Sequence, residues 1–428
     1  MLWRRHQPQE EASPASERGQ EAYEDGWLGR SAPGGFRGRP PDRRRLVSLD
    51  VDAFADAAGA YVHIPFCSQV CPYCDFAVVA GADDMAGRYG AAVVTEIKST
   101  GSWLPLDAVY FGGGTPSHID PGLLGRILET LKSVHGLSVD AEVSLEANPE
   151  DFDSARASSL RSLGFNRVSF GAQSFDPGVL GSLGRRHGPD QIGASVNAAR
   201  SAGFENVSLD LIFGTPGETD VSWMDTIRGA IDADPNHVSC YSLTVERGTP
   251  LGRAVADGAI APDPDVQADR YESADAALAA AGFERYEVSN WSKPGFECQY
   301  NLTVWAQGEY EAYGNGAHRF RRGARSRNIR RLDAYMETVE RGEQPVAGSD
   351  PITGWDLELD RMFVGLRMKQ GIVLGSGGQT FLESDDGRRL VDAGVVATSG
   401  DRLRVTNPLL TDEANRVVLG LGEPNSWK

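Results

Sequence analysis

SLGFNRVSF (162–170), SAGFENVSL (201–209) and AAGFERYEV (280–288) carry one local pattern three times. In each, a glycine (Gly164, Gly203, Gly282) is followed by phenylalanine and then by a strand-forming run. Glycine suits the left-handed residue that stops a helix, and the aromatic after it packs back on the joint. Repeated helix–glycine–strand joints mean repeated β/α units and a parallel sheet. Working outward, strands are expected at 60–64, 108–111, 142–146, 167–170, 207–213, 238–243 and 285–288. Helices are expected at 120–136, 154–163, 191–202, 222–233 and 266–281, with Asp120 as a cap and Pro121 in the first helical position. A sheet of this kind places its functional groups at the C-terminal ends of its strands.

After about residue 350 the pattern changes. Helices at 357–369, 375–393 and 411–421 surround a strand pair, 395–397 and 402–405, joined at Ser399–Gly400–Asp401. This reads as a small winged-helix-like α+β module, a structural cap rather than a DNA binder. At the other end, residues 1–46 are rich in Arg, Glu, Gly and Pro and read as a disordered extension. Between them lie an α/β core at 47–290 and an adjoining segment at 291–350; the closing module spans 351–428.

The 428 residues, 40% of them hydrophobic, suit one α/β barrel plus a smaller module. A formal net charge of −18 argues against a general nucleic-acid binder, which needs a basic face. No apolar run has membrane-spanning length, and the first twenty residues lack the apolar core of a secretory signal. A cytoplasmic location is expected.

Five cysteines are present, and Cys67, Cys71 and Cys74 crowd into Tyr61-Val-His-Ile-Pro-Phe-Cys-Ser-Gln-Val-Cys-Pro-Tyr-Cys-Asp-Phe76. A disulfide framework would spread and pair its cysteines; a tight C-x3-C-x2-C run reads as metal or redox chemistry. Thiolates are the usual ligands of iron–sulfur cubes. Three of them hold three corners of a 4Fe-4S cluster and leave the fourth iron open. S-adenosylmethionine can chelate that iron through its amino and carboxylate groups, and one electron into the sulfonium releases a 5′-deoxyadenosyl radical. The bland alternative is zinc on a Cys3His set with His63, although structural zinc usually draws on two separated knuckles.

The motif YVHIPFC-SQV-C-PY-C-DF, followed by FGGGTP, resembles the radical S-adenosylmethionine superfamily, and within it the oxygen-independent coproporphyrinogen oxidase family and its HemW-type branch. The likeness continues in family order through SLEANPE (144–150), NRVSFGAQSF (166–175), LGRRH (183–187), SLDLIFGTPGET (208–219), YSLTVERGTPL (241–251), YEVSNW (286–291) and GNGAH (314–318). It implies a partial (β/α) barrel and a cofactor pocket lined by Gly113, Gly114 and Thr115, with Tyr61 in contact. Bare glycine backbone after a strand lets a ligand approach closely, although a glycine triplet alone is usually just a turn. Glu146, Gln173 and Asp210 read as strand-end groups on the same rim. Glu146 is placed to accept from the ribose or the amino group; the bland alternative is a solvated carboxylate. Arg185 offers a bidentate carboxylate partner or is an ordinary surface cation. Tyr73 stacks on adenine or simply packs its loop. His63 hydrogen-bonds near the cluster or is a satisfied core histidine.

Oxidases of the family resemble C-x3-C-x2-C-x-C, and here the fourth position is Phe76. The resemblance therefore implies a heme chaperone that binds heme and passes it to an acceptor protein, served by a small-protein or flavoprotein electron donor. Coproporphyrinogen dehydrogenation and radical methyl transfer are the competing chemistries, and no catalytic residue is assigned. The branch's heme motif resembles H-N-x-x-Y-W, whereas this chain reads Tyr300-Asn301-Leu302-Thr303-Val304-Trp305. Tyr300, Cys298 and His318 all remain candidate heme ligands, each with a plainer reading as a packing or hydrogen-bonding residue.

Overall fold

The first two joints are built as expected. Gly164 and Gly203 stand left-handed, at φ 107° and 93°, and end the helices Ser154–Leu163 and Pro189–Ala202. Phe165 and Phe204, one residue on, are buried against the core. Each joint delivers the chain into a parallel strand, Arg167–Gln173 or Asn206–Phe213. The computed structural model describes residues 49–424, so the extension read at 1–46 lies outside the described residues.

In chain order the strands are β1 (Ala58–Ile64), β2 (Phe66–Cys67), β3 (Val79–Ala80), β4 (Leu106–Gly113), β5 (Leu137–Ala147), β6 (Arg167–Gln173), β7 (Asn206–Phe213), β8 (His237–Ser242), β9 (Glu284–Arg285), β10 (Asn290–Ser292), β11 (Glu309–Tyr313), β12 (His318–Arg321), β13 (Ala324–Asn328) and β14 (Val346–Pro351). Between them run α1 (Ala86–Ser99), α2 (Pro121–Val134), α3 (Ser154–Leu163), α4 (Pro177–Ser182), α5 (Pro189–Ala202), α6 (Asp220–Asp232), α7 (Pro250–Ala256), α8 (Pro264–Ala280), α9 (Gln299–Trp305) and α10 (Leu332–Glu340). Among the described residues, twelve strands form one sheet in the order β14, β13, β12, β11, β1, β4, β5, β6, β7, β8, β10, β9. The block from β11 to β8 is parallel throughout. The fold is α/β with a mostly parallel central sheet.

Strand alternation gives this sheet two unlike faces. Val62, Val109, Phe111, Val143, Leu145, Val168, Phe170, Val207, Leu209 and Val238 point into the apolar core. That core also takes Tyr89 and Ile97 of α1, Leu124 and Leu128 of α2, and Trp223 and Ile227 of α6. Their chain neighbours make the opposite face polar: Tyr61 and His63, Tyr110, Glu142, Ser144 and Glu146, Arg167 and Ser169, Ser208 and Asp210, His237 and Ser239. A helix-covered sheet with one polar face has its chemistry on that face.

The third joint departs from the expectation. Gly282 is left-handed and Phe283 is buried, as in the other two. The strand expected at 285–288 is instead the short β9, antiparallel to β10. Residues 286–289 leave room for a reversal but none for the crossover helix that a parallel neighbour requires. Segment 291–350 is also more than an adjunct: β11 pairs directly with β1, and β12 to β14 extend the sheet as an antiparallel wing.

Beyond the wing lie α11 (Gly354–Gly365), β15 (Ile372–Val373), α12 (Ser376–Glu383), α13 (Asp385–Asp392), β16 (Val396–Ser399), β17 (Arg402–Val405) and α14 (Thr411–Leu419). The helix expected over 375–393 is two. Ser384 is extended and its hydroxyl caps the second helix at the Gly387 N–H, 3.0 Å away. β15, β17 and β16 form a small antiparallel sheet. Met362, Leu366, Phe381, Leu403 and Val418 give these elements an apolar core of their own. Among the described residues, no helix is long and apolar enough to cross a membrane.

Candidate functional site

Two backbone clamps hold the cysteine loop over the C-terminal end of β4. Gly114 N–H donates to Ile64 O at 2.7 Å and Thr115 N–H to Phe66 O at 2.9 Å. A Cβ on Gly114 would come within 2.8 Å of the backbone of residues 64–66, so only glycine permits this approach. Gly113, at φ 108°, gives its N–H to Glu146 Oε2 at 3.0 Å, and the space a Cβ would fill is taken by the His63 ring. The glycine turn thus positions the cysteine loop and Glu146, and its N–H groups are committed inside the protein.

The three thiols gather above this turn. Cys67 is buried and accepts from the Thr115 hydroxyl at 3.6 Å, while Asn148 Nδ2 donates to that hydroxyl at 3.1 Å. Burial pushes the Cys67 thiol up to about 12, with Cys74 and Cys71 close enough to add to the effect. Cys74 rises to about 11, again chiefly by burial. Arg185 is not a surface cation. Its Nη1 lies 3.5 Å from Cys71 Sγ, and its Nη2 donates to Asn148 Oδ1 at 2.5 Å and Gly171 O at 3.0 Å. The guanidinium thus sits against the middle thiol of the three. Tyr73 packs against Val179, Leu183, Ile212 and Leu243. Gln173 sits at the strand end at φ 65°, its amide folded over Gly171 beside Arg185.

Below the loop lie two carboxylates. Glu146 accepts from Tyr110 Oη at 2.9 Å as well as from Gly113. It is pushed up to about 7 by burial and then by the charge of Asp210. Asp210 accepts from the Ser169 hydroxyl at 2.9 and 3.0 Å and is likewise raised by burial. The sequence reading put Asp210 at a strand end; it stands mid-strand in β7, three residues short of Phe213. It still faces the pocket because strand alternation keeps it on the polar side. Tyr61 Oη bonds His63 Nδ1 at 3.1 Å, and His63 Nε2 meets Ala77 O at 3.0 Å. Both imidazole nitrogens are occupied, so His63 is the satisfied core histidine, and the Cys3His zinc set lacks its fourth donor. Among the described residues, no three His, Cys, Asp or Glu groups converge on a single-ion site.

The donor set fits an iron–sulfur cube and a small polar ligand. Three thiols share one loop with a guanidinium against the middle one. Arg185 Nε is buried without a hydrogen-bond partner among the described residues, and two raised carboxylates face the same space. These are acceptors and one donor awaiting a ligand that brings hydroxyl, amino or cationic groups.

The candidate heme ligands are scattered. Cys298 is fully buried at the start of α9, beside Arg167; burial raises its thiol to about 12 although Arg167 opposes this. Tyr300 lies among Tyr61, Tyr110 and Tyr310, with ring centroids 6.2, 5.4 and 5.9 Å away. Burial, then Tyr310 and Tyr61, hold its phenol well above the usual range, so it stays neutral. His318 is exposed on β12. Sequence reasoning missed Asn148, Tyr110, Ser169 and the floor pair Arg167–Glu142. Asn148 lay within the quoted SLEANPE motif, and the others share the alternation phase of Glu146 and Asp210.

The Radical SAM superfamily model matches residues 61–230. The heme chaperone HemW of Mycobacterium tuberculosis is 39% identical over 395 residues, 90% of this chain and 100% of that protein. The heme chaperone HemW of Bacillus subtilis is 32% identical over 375 residues, 84% of this chain and 99% of that protein. The chain belongs to the HemW-type branch of the radical S-adenosylmethionine superfamily. Among solved structures, this HemW-type chain is similar to coproporphyrinogen III oxidase (HemN) of Escherichia coli. The TM-score is 0.74 at 22% identity, over 86% of this chain and 92% of that one, a likeness of fold.

Proposed function

We propose that this chain is a heme chaperone that works in the cytoplasm. It carries a 4Fe-4S cluster on Cys67, Cys71 and Cys74, with S-adenosylmethionine at the open iron, and passes heme to an acceptor protein. The observation that carries the reading is the cysteine loop itself. It has three thiols and a guanidinium, and the next alternate position, where an oxidase resembles a fourth cysteine, holds Phe76 with 49% of its surface exposed. Full-length similarity to HemW proteins agrees with it.

When bound, the cluster supplies one-electron chemistry to the sulfonium ligand. The chain's own residues do the rest. Arg185 offsets negative charge at Cys71, and Thr115 donates to Cys67. Glu146 and Asp210 offer acceptors to hydroxyl and amino groups. The tyrosines Tyr61, Tyr110 and Tyr300 pack together along the lower side of the pocket. Electrons are proposed to come from a small protein or flavoprotein donor.

Anaerobic reconstitution with iron and sulfide, followed by heme titration, tests the reading. The wild type should gain a cluster whose reduced spectrum responds to S-adenosylmethionine, and should take up heme stoichiometrically with a Soret band. Cys71→Ala should abolish the cluster outright; a full iron and sulfide complement in that variant counts against the assignment. Anaerobic rescue of a strain lacking coproporphyrinogen oxidase would replace the chaperone with the oxidase.

A further inference from the structure

Of the three residues that could hold heme iron, His318 is exposed, Tyr300 half-buried and Cys298 fully buried. Cys298 is sealed at the base of the polar face, and Tyr300 packs among three other tyrosines, with the Cβ position of Gly59 lying 3.4 Å from its ring. His318 instead stands on the wing, and strand registers fix its neighbours. Tyr61 of β1 is opposite Ala312 of β11, and His318 of β12 is opposite Arg327 of β13. Arg327 in turn is opposite Gly348 of β14, with its guanidinium lying flat against that glycine. The pairing of Tyr310 with Phe320 sets Ala312 beside His318. His318 and Arg327 therefore share one cross-strand site on the polar face, in the row that begins at Tyr61.

The rows around them are closed. Arg325 is held bidentately by Asp360 of α11 at 2.8 and 2.9 Å and lies 4.8 Å over the Phe320 ring. On the opposite face, Arg319 and Arg321 are engaged by Glu311. In the row between them His318 is exposed and Arg327 half-buried, and this row leads toward the cysteine loop. Asn315 Nδ2 donates to Ala77 O at 3.3 Å, and Arg330 donates to Asp75 O. The loop that delivers His318 and the segment that follows β13 are thus bonded to the cysteine loop on either side of the exposed Phe76.

We propose that His318 is the axial ligand of heme iron and that Arg327 holds one of its carboxylates, setting the macrocycle on the wing beside Phe76. Imidazole is a standard heme ligand, guanidinium a standard carboxylate partner, and an exposed aromatic ring suits a flat conjugated face. This site rests on the heme reading above and deepens it by naming where heme sits. It also explains how a chain with Tyr300 in the motif's histidine position retains an imidazole for iron.

Full-length protein titrated with hemin tests the assignment. His318→Ala should lose the wild-type Soret band, and added imidazole should restore it, while circular dichroism and cluster iron stay unchanged. Arg327→Gln should keep the band position and weaken affinity about tenfold. Tyr300→Phe and Cys298→Ser should bind as wild type. A His318→Ala protein with unaltered band and affinity overturns this site and leaves the chaperone reading standing. A wild type that takes up no heme overturns the chaperone reading itself.

Discussion

Arg167 and Arg185 lie on the same side of one sheet, yet the regions around them are balanced in opposite ways. At the floor, Arg167 and Glu142 are both buried, 4.0 Å apart. Arg167 also donates to Ser144 at 3.0 Å, and Glu142 accepts the Gln299 N–H at 2.9 Å, anchoring α9. His237 bridges Ser208 and Tyr286 at 2.8 Å on each side, and the Cys298 N–H reaches the same Tyr286 hydroxyl at 3.3 Å. Cation and anion face each other within the chain, although Arg167 Nε is buried without a hydrogen-bond partner among the described residues. At the rim, two carboxylates share one pocket: Glu146 is pushed up by burial and then by the charge of Asp210, and Asp210 is raised by burial. Buried charge matched internally serves the fold; buried charge left mismatched is poised for something that arrives later.

The comparison is most easily broken at the floor. Arg167→Leu leaves Glu142 buried without its cation and should cost about 3–5 kcal/mol, measured by urea unfolding of the cluster-free protein. A loss below about 1 kcal/mol would mean that the floor is no better matched than the rim. A smaller effect of opposite sign is expected at the rim. Between the ordinary 4.5 and its raised value of about 7, folded Glu146 holds a proton that the unfolded chain has released. Stability should therefore fall as pH rises through that window and stay low above it. Glu146→Gln should flatten that decline, read as unfolding free energies on either side of the window; an equal decline in both proteins would contradict the mismatch. The smallest change calibrates the others. Asp120 caps α2 by accepting the Gly122 N–H at 3.2 Å, remote from both regions. Asp120→Ala should cost about 1 kcal/mol, with no effect on the Glu146 slope.

The parallel half of the sheet and the cysteine loop were legible because each rests on local chemistry. A left-handed glycine followed by a buried phenylalanine marks a joint wherever it falls, and three cysteines in eight residues admit few uses. What followed Gly282 was not legible. The joint is the same, but strand direction depends on whether a helix intervenes before the next pairing, and β10 comes too soon. The wing was hidden for another reason. HRFRRGARSRN (318–328) reads as a charge run, although its strands alternate and the largely buried Arg319 and Arg321 pair with Glu311. α1 was missed because AGRYGAAVVTEIKS dilutes its apolar face with glycine and β-branched residues. At the site, the sequence supplied the thiols and Glu146. It did not reveal that Gly113 and Gly114 serve the cysteine loop, nor that Tyr300 belongs to an aromatic group, since both follow from contacts distant in sequence.

The strand that leads into the cysteine loop is flanked by partners of very different age. β1 meets β4 soon after it is made, but its other edge waits for β11, whose first residue is Glu309. At about 5–20 residues per second, a ribosome needs roughly 10–50 s to supply that partner. Throughout this interval the nascent chain presents an open strand edge next to three reactive thiols, a surface prone to wrong pairing and premature oxidation. The late arrival of the wing makes protection of the newborn chain a requirement set by topology.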